Sequence, residues 1–117
     1  MISLLPEDLR ARSQSDQEIV LALDDALAAA DLLEKLGWAC EGWQGWVRDR
    51  DGGHFEHSGF PGQPGLAQEP GQGRSEHVRA SWERARETIR ADQARWDSGW
   101  TWPGEKLFFH LRVAAET

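Results

Sequence analysis

The chain is short of several things a functional reading would start from. Among 117 residues there is one cysteine, Cys40, one methionine and no tyrosine. No apolar run approaches the roughly 20 residues that span a bilayer, so no membrane partner is expected. A lone cysteine closes no internal disulfide, and Met1 to Asp8 lacks a basic segment followed by an apolar core; a soluble, cytoplasmic protein is the expectation. Cations are scarce as well, with 13 Lys and Arg against 20 Asp and Glu, a net charge of −7. Nucleic-acid binding rests on clustered cations that release counterions, so DNA and RNA are not expected partners. The nearest approach to a phosphate-cradling loop, Gly73-Arg74-Ser75, lacks the lysine, and Ser58-Gly59 lacks the glycine-flanked elbow of a hydrolytic serine.

What is present is a chain of single-domain length, 1–117, with ordinary hydrophobic content. Pro6 followed by Glu7 and Asp8 predicts a short lead-in helix over 6–13, and Glu18 to Leu23 reads as a first strand. Asp24 or Asp25 is placed to cap a helix running from Ala26 to Leu36, stopped by Gly37, with Ala26, Ala29, Leu32, Leu33 and Leu36 as its inward stripe. Trp38 to Arg48 should be extended, with bulges where Gly42 and Gly45 shift the alternation. Asp49 to Gly53 carries a hairpin-turn signal and His54 to Gly59 returns. Residues 59–74 hold so much Gly and Pro that a flexible connection is expected. A second helix from Ser75 to about Asp97 buries Val78, Trp82, Ala85, Ile89 and Trp96, and Lys106 to Val113 alternates as the last strand. The order predicts an α+β fold: a two-layer β-α-β-β-α-β arrangement, ferredoxin-like or related, with two helices on one sheet face and a short N-terminal helix. Right-handed crossovers would put the first strand and the returning hairpin strand at the centre.

The side chains that could do chemistry are few. His54 and His57 are three apart, which on a strand aims them at opposite faces, and zinc needs three or four convergent ligands. No metal and no cofactor is therefore expected, although a metal or small-ligand site on the His54–His57 hairpin is the competing enzyme reading. Cys40 on an aromatic strand reads as a small buried hydrophobe, and Asp49 and Asp51 as turn residues. Seven tryptophans are harder to place. Trp82 and Trp96 lie on a helical stripe, and Trp38 follows a helix stop and is expected in the core. Tryptophan is enriched at binding hot spots, so the hairpin and the turn near 98–104 supply the candidate partner-binding residues: Trp43, Trp46, Asp49, Asp51, Glu56, Trp100 and Trp102. Residues 1–36 add eight acids, Glu7, Asp8, Asp16, Glu18, Asp24, Asp25, Asp31 and Glu34, against Arg10, Arg12 and Lys35. That third suits a basic protein partner.

The run from Leu21 through Asp24-Asp25-Ala26 to Leu36-Gly37, leading into a glycine-containing hairpin at 41–47, resembles a family of small bacterial immunity proteins that neutralise polymorphic toxins, the type numbered forty. The resemblance resumes in Ala80-Ser81-Trp82-Glu83-Arg84-Ala85-Arg86-Glu87-Thr88-Ile89 and in Leu107 to Leu111. It covers about two thirds of the chain, and the Gly/Pro stretch and the Trp100–Trp102 turn depart from it. It implies a non-catalytic module that occludes a toxin domain. A structural homodimer pairing sheet faces through tryptophans is a further alternative.

Overall fold

Val78, Trp82, Ala85, Ile89 and Trp96 share one helical stripe, and all five are buried. The first four belong to the longest element, and Trp96 caps its C-terminus, in a computed structural model that describes residues 2–56, 59–100 and 104–113, without the side chains of Phe55 and Trp100. After a single 3-10 turn, the elements are α1 (Glu7–Arg12), β1 (Ile19–Leu21), α2 (Leu23–Lys35), β2 (Cys40–Arg48), β3 (His54–Glu56), β4 (Gln63–Pro64), α3 (Arg74–Arg95) and β5 (Lys106–Val113). The α+β class holds. The helices cover one face of the sheet, where Leu107, Phe109, Leu111 and Val113 of β5 join Trp43 and Val47 of β2, Ala26, Ala29, Ala30 and Leu33 of α2 and the α3 stripe in one core. Alanines at three of those four α2 positions let that helix approach closely.

Both ends of α2 differ from expectation. Asp24 and Asp25 lie inside the first turn of α2, whose N-cap is Ala22, and no side chain caps it. The carboxylates still sit where the helix dipole favours anions, and Asp25 accepts a hydrogen bond from Arg12 at 3.0 Å, tying α1 to α2. At the other end Leu36 is 52% exposed. It stands past the last α-helical residue, so the stripe turns away from the sheet there and Ala30 takes the inward place.

The sheet is wholly antiparallel, in the order β1-β5-β2-β3, with β4 beside β2. The first strand is therefore at an edge, and the expected central position of the first and returning strands is corrected. Both helical connections do skip one strand: α2 joins β1 to β2 across β5, and α3 joins β4 to β5 across β2. The difference lies in the hairpin, which turns outward and leaves the slot between β1 and β2 open for β5. A physical reason is length. β3 has three residues and cannot pair along the nine of β2, whereas β5 has eight and registers with β2 from Cys40↔Val113 to Arg48↔Lys106.

The register slips once, between Cys40 and Gly42, so a bulge occurs at Gly42 but Gly45 stays in step with Phe109. The two glycines share another task. The Gly/Pro segment, expected to connect without packing, lies as a strap along β2: Phe60 is fully buried, the Gly45 N–H donates to the Phe60 carbonyl at 3.2 Å, and the Gly65 N–H to the Glu41 carbonyl at 2.9 Å. A Cβ at Gly42 would meet the Gln63 carbonyl at 2.5 Å, and one at Gly45 the Phe60 carbonyl at 2.7 Å. From the strap, a Cβ at Gly62 would run into the Trp43 carbonyl, and φ there is +88°. Backbone meets backbone at this edge, and only glycine leaves room.

Candidate functional site

The sheet face turned away from the helices is built by alternation. Leu107, Phe109 and Leu111 point to the core, so Lys106, Phe108, His110 and Arg112 point the other way, opposite Arg48, Trp46, Gln44 and Gly42 of β2. Trp46 is half-buried at its centre, with the His110 ring edge-on at 5.2 Å and the His54 ring at 6.3 Å. The loop before β1 lies against this face. Gln14 Oε1 accepts from Arg48 Nη1 at 3.1 Å and contacts His54 Nε2 at 3.1 Å, while Glu18 pairs with His110 Nε2 at 3.3 Å. Two polar atoms here are buried without a partner among the described residues: Trp46 Nε1 and His110 Nδ1. Phe108 is 3% exposed, with the Arg48 guanidinium 5.3 Å and the Lys106 ammonium 6.0 Å from its centroid.

The proposed partner-binding residues divide. Trp43 is corrected: it is 1% exposed, its Nε1–H donates to Thr88 Oγ1 at 2.8 Å, and its ring meets Phe109 edge-on at 5.3 Å. It faces the helices because it is odd in register with Trp46, and no partner reaches it in the folded protein. Trp46, Glu56 and the hairpin tip do come together, since Trp46 pairs with Glu56 across the β2–β3 ladder. Asp51 and Glu56 are exposed. Asp49 is spent on the turn, its Oδ1 accepting from the N–H groups of Asp51 and Gly53, both at 2.9 Å. The side chain of Trp100, and Trp102, His57 and Ser58 altogether, lie outside the described residues. Trp38 is half-buried against the core and offers its carbonyl to Trp82 Nε1 at 2.6 Å.

Cys40 is buried, and burial pushes its thiol up from 9.0 to about 11, against a smaller opposing contribution from the Gly42 backbone. Nucleophilic work needs the opposite shift. Its N–H donates to Ser81 Oγ at 2.9 Å, and Ser81 donates in turn to the Val78 carbonyl at 2.8 Å, which pins the bulge to α3. Among the described residues no three His, Cys, Asp or Glu side chains are grouped to hold a metal ion.

Sequence reasoning missed Gln14 and the pairing of Arg48 with Lys106. Gln14 sits in a polar loop with no periodicity to give it away. The like-charged pair follows from the register of β2 on β5, which depends on the outward hairpin and so on the whole topology.

The acidic third lies mainly on the other layer. Glu7, Asp8, Asp16 and Asp24 are exposed, with no cation within 4.0 Å among the described residues, whereas Asp25 pairs with Arg12 and Asp31 and Glu34 pair with Arg86 of α3 at 3.1 and 2.8 Å. Neither protein-family models, nor curated proteins, nor solved structures yield a match to this chain.

Proposed function

We infer that the protein is a non-catalytic binding module that masks a basic protein domain, and that its partner is a bacterial toxin domain. The observation that carries the reading is the set of exposed, unpaired carboxylates on α1, the following loop and the start of α2: Glu7, Asp8, Asp16 and Asp24. Exposed charge left without an internal counterion costs the fold little in water but speeds encounter with an oppositely charged surface. The layer is also rigid where it needs to be, because Arg86 clamps α3 to both Asp31 and Glu34. The resemblance of the Leu21–Gly37 helix and its hairpin to the type-forty immunity proteins supplies the class of partner.

The test is co-expression with the C-terminal domain of any large secreted protein encoded beside this chain. Neutralisation of growth arrest and co-purification are the expected results. If the toxin domain still arrests growth and does not co-purify, the reading fails. Replacing Asp8 and Asp24 together by lysine should slow association about tenfold and flatten its dependence on salt, because each charge acts mainly on the encounter rate.

A further inference from the structure

Arg48 and Lys106 are direct cross-strand partners, two like charges facing each other on one side of an antiparallel pair. That placement destabilises a sheet unless something relieves it. Neither has a carboxylate within 4.0 Å among the described residues; Arg48 is held by the neutral Gln14, and both cations converge on the ring of Phe108. Arg48, Lys106 and Arg112 share this side of the strand pair with Glu18, which pairs with His110, and Glu56, which stands opposite Trp46. Two facing cations without a carboxylate partner among the described residues thus lie on the same sheet face as a half-buried tryptophan.

We propose that the Arg48–Lys106 pair is a docking site for a carboxylate of an acidic, extended segment in a partner protein, lying across β5 and β2 with Trp46 at its side. A carboxylate held between the two cations removes the repulsion that the register builds in. Arg48 is preset for this, since Gln14 takes one guanidinium nitrogen and leaves the others to pair. A polynucleotide is disfavoured by the same observations. Phe108 is too deeply buried to stack on a base. The proposal rests on none of the carboxylates of α1 and α2, so it stands or falls independently of the toxin reading.

The experiment follows the Trp46 indole N–H resonance of the full chain, identified by its disappearance in Trp46→Phe, during titration with a short oligo-glutamate peptide. The resonance should shift saturably at about 0.01 M ionic strength and cease to respond near 1 M, where screening extends to within ~3 Å. Lys106→Gln and Arg48→Gln should each weaken binding about tenfold or more, and Arg90→Glu on the exposed side of α3 should leave it unchanged. Lys106→Gln touches no side-chain hydrogen bond among the described residues, so it remains informative if Arg48→Gln disturbs the Gln14 contact. No shift at low ionic strength, tighter binding of oligothymidylate than of the peptide, or a concentration-dependent rise in mass that produces the shift without peptide would each overturn the proposal.

Discussion

Trp43 and Trp46 are three residues apart, on opposite faces of one strand, and their indole nitrogens have opposite fates. Trp43 Nε1 is satisfied by Thr88 in the core; Trp46 Nε1 is buried without an acceptor among the described residues. Replacing Trp43 by phenylalanine removes a made hydrogen bond and strands the Thr88 hydroxyl lone pair, in addition to leaving a void, so a loss of about 2–3 kcal/mol is expected. Trp46→Phe deletes a donor that was already paying the desolvation cost, and should lose less than about 1 kcal/mol. Urea denaturation of both variants checks this, and equal losses would refute it. Cys40 gives a pH signature. Its thiol titrates at about 11 in the fold and near 9.0 when unfolded, so the unfolded state loses its proton first as pH rises. The stability contributed is whole below pH 9, declines between 9 and 11, and is gone above. Cys40→Ala should therefore resist alkaline unfolding across that window better than the parent, by an amount approaching about 2–3 kcal/mol at its upper end.

At the scale of elements, the strap is where expectation and structure part most clearly, and the reason is chemical ambiguity. Glycine marks a turn, a bulge or a close backbone approach with the same letter. Gly42 shows all the expected bulge character, yet Gly42, Gly45, Gly62 and Gly65 matter most because the strap and β2 touch through their missing side chains. No periodicity announces that. The α3 stripe and the alternation of β5 were legible because burial imposes a period on the sequence, and each inward position stands as expected. The glycine pairs make a sharp contrast testable. Gly71 and Gly62 have nearly the same backbone, φ +82° and +88°, but a Cβ on Gly71 meets nothing within 4 Å. Gly71→Ala should cost about 1–2 kcal/mol from left-handed strain alone. Gly62→Ala adds a collision with Trp43 backbone and should cost at least about 2 kcal/mol more, with lost hydrogen-exchange protection at the Gly45 and Gly65 amides. Ser81→Ala, which leaves the buried Cys40 N–H without an acceptor, should cost about 1–3 kcal/mol and loosen the bulge.

Across the whole molecule, strands are sorted by length and two cations face each other across the central strand pair, and neither could be read from composition. Net charge describes the sum and conceals a facing pair of cations; element order describes the chain and leaves open which way a hairpin folds. The helix-then-hairpin pattern was enough to place two helices on one face, while the site depended on the strand that filled the remaining slot. That strand, β5, carries a kinetic consequence. It inserts between β1 and β2, elements made some 60 to 85 residues before it, so the sheet stays split until nearly all the described chain has been synthesised. Loop closure over such separations is slow and precedes any reward. Refolding should thus be limited by the arrival of β5: Leu111→Ala is expected to slow folding markedly, whereas Leu9→Ala on the peripheral α1 should act mainly by hastening unfolding. A chain stalled on the ribosome before Lys106 would expose two unzipped sheet edges, and the late strand acts as the bolt that ends that vulnerable interval.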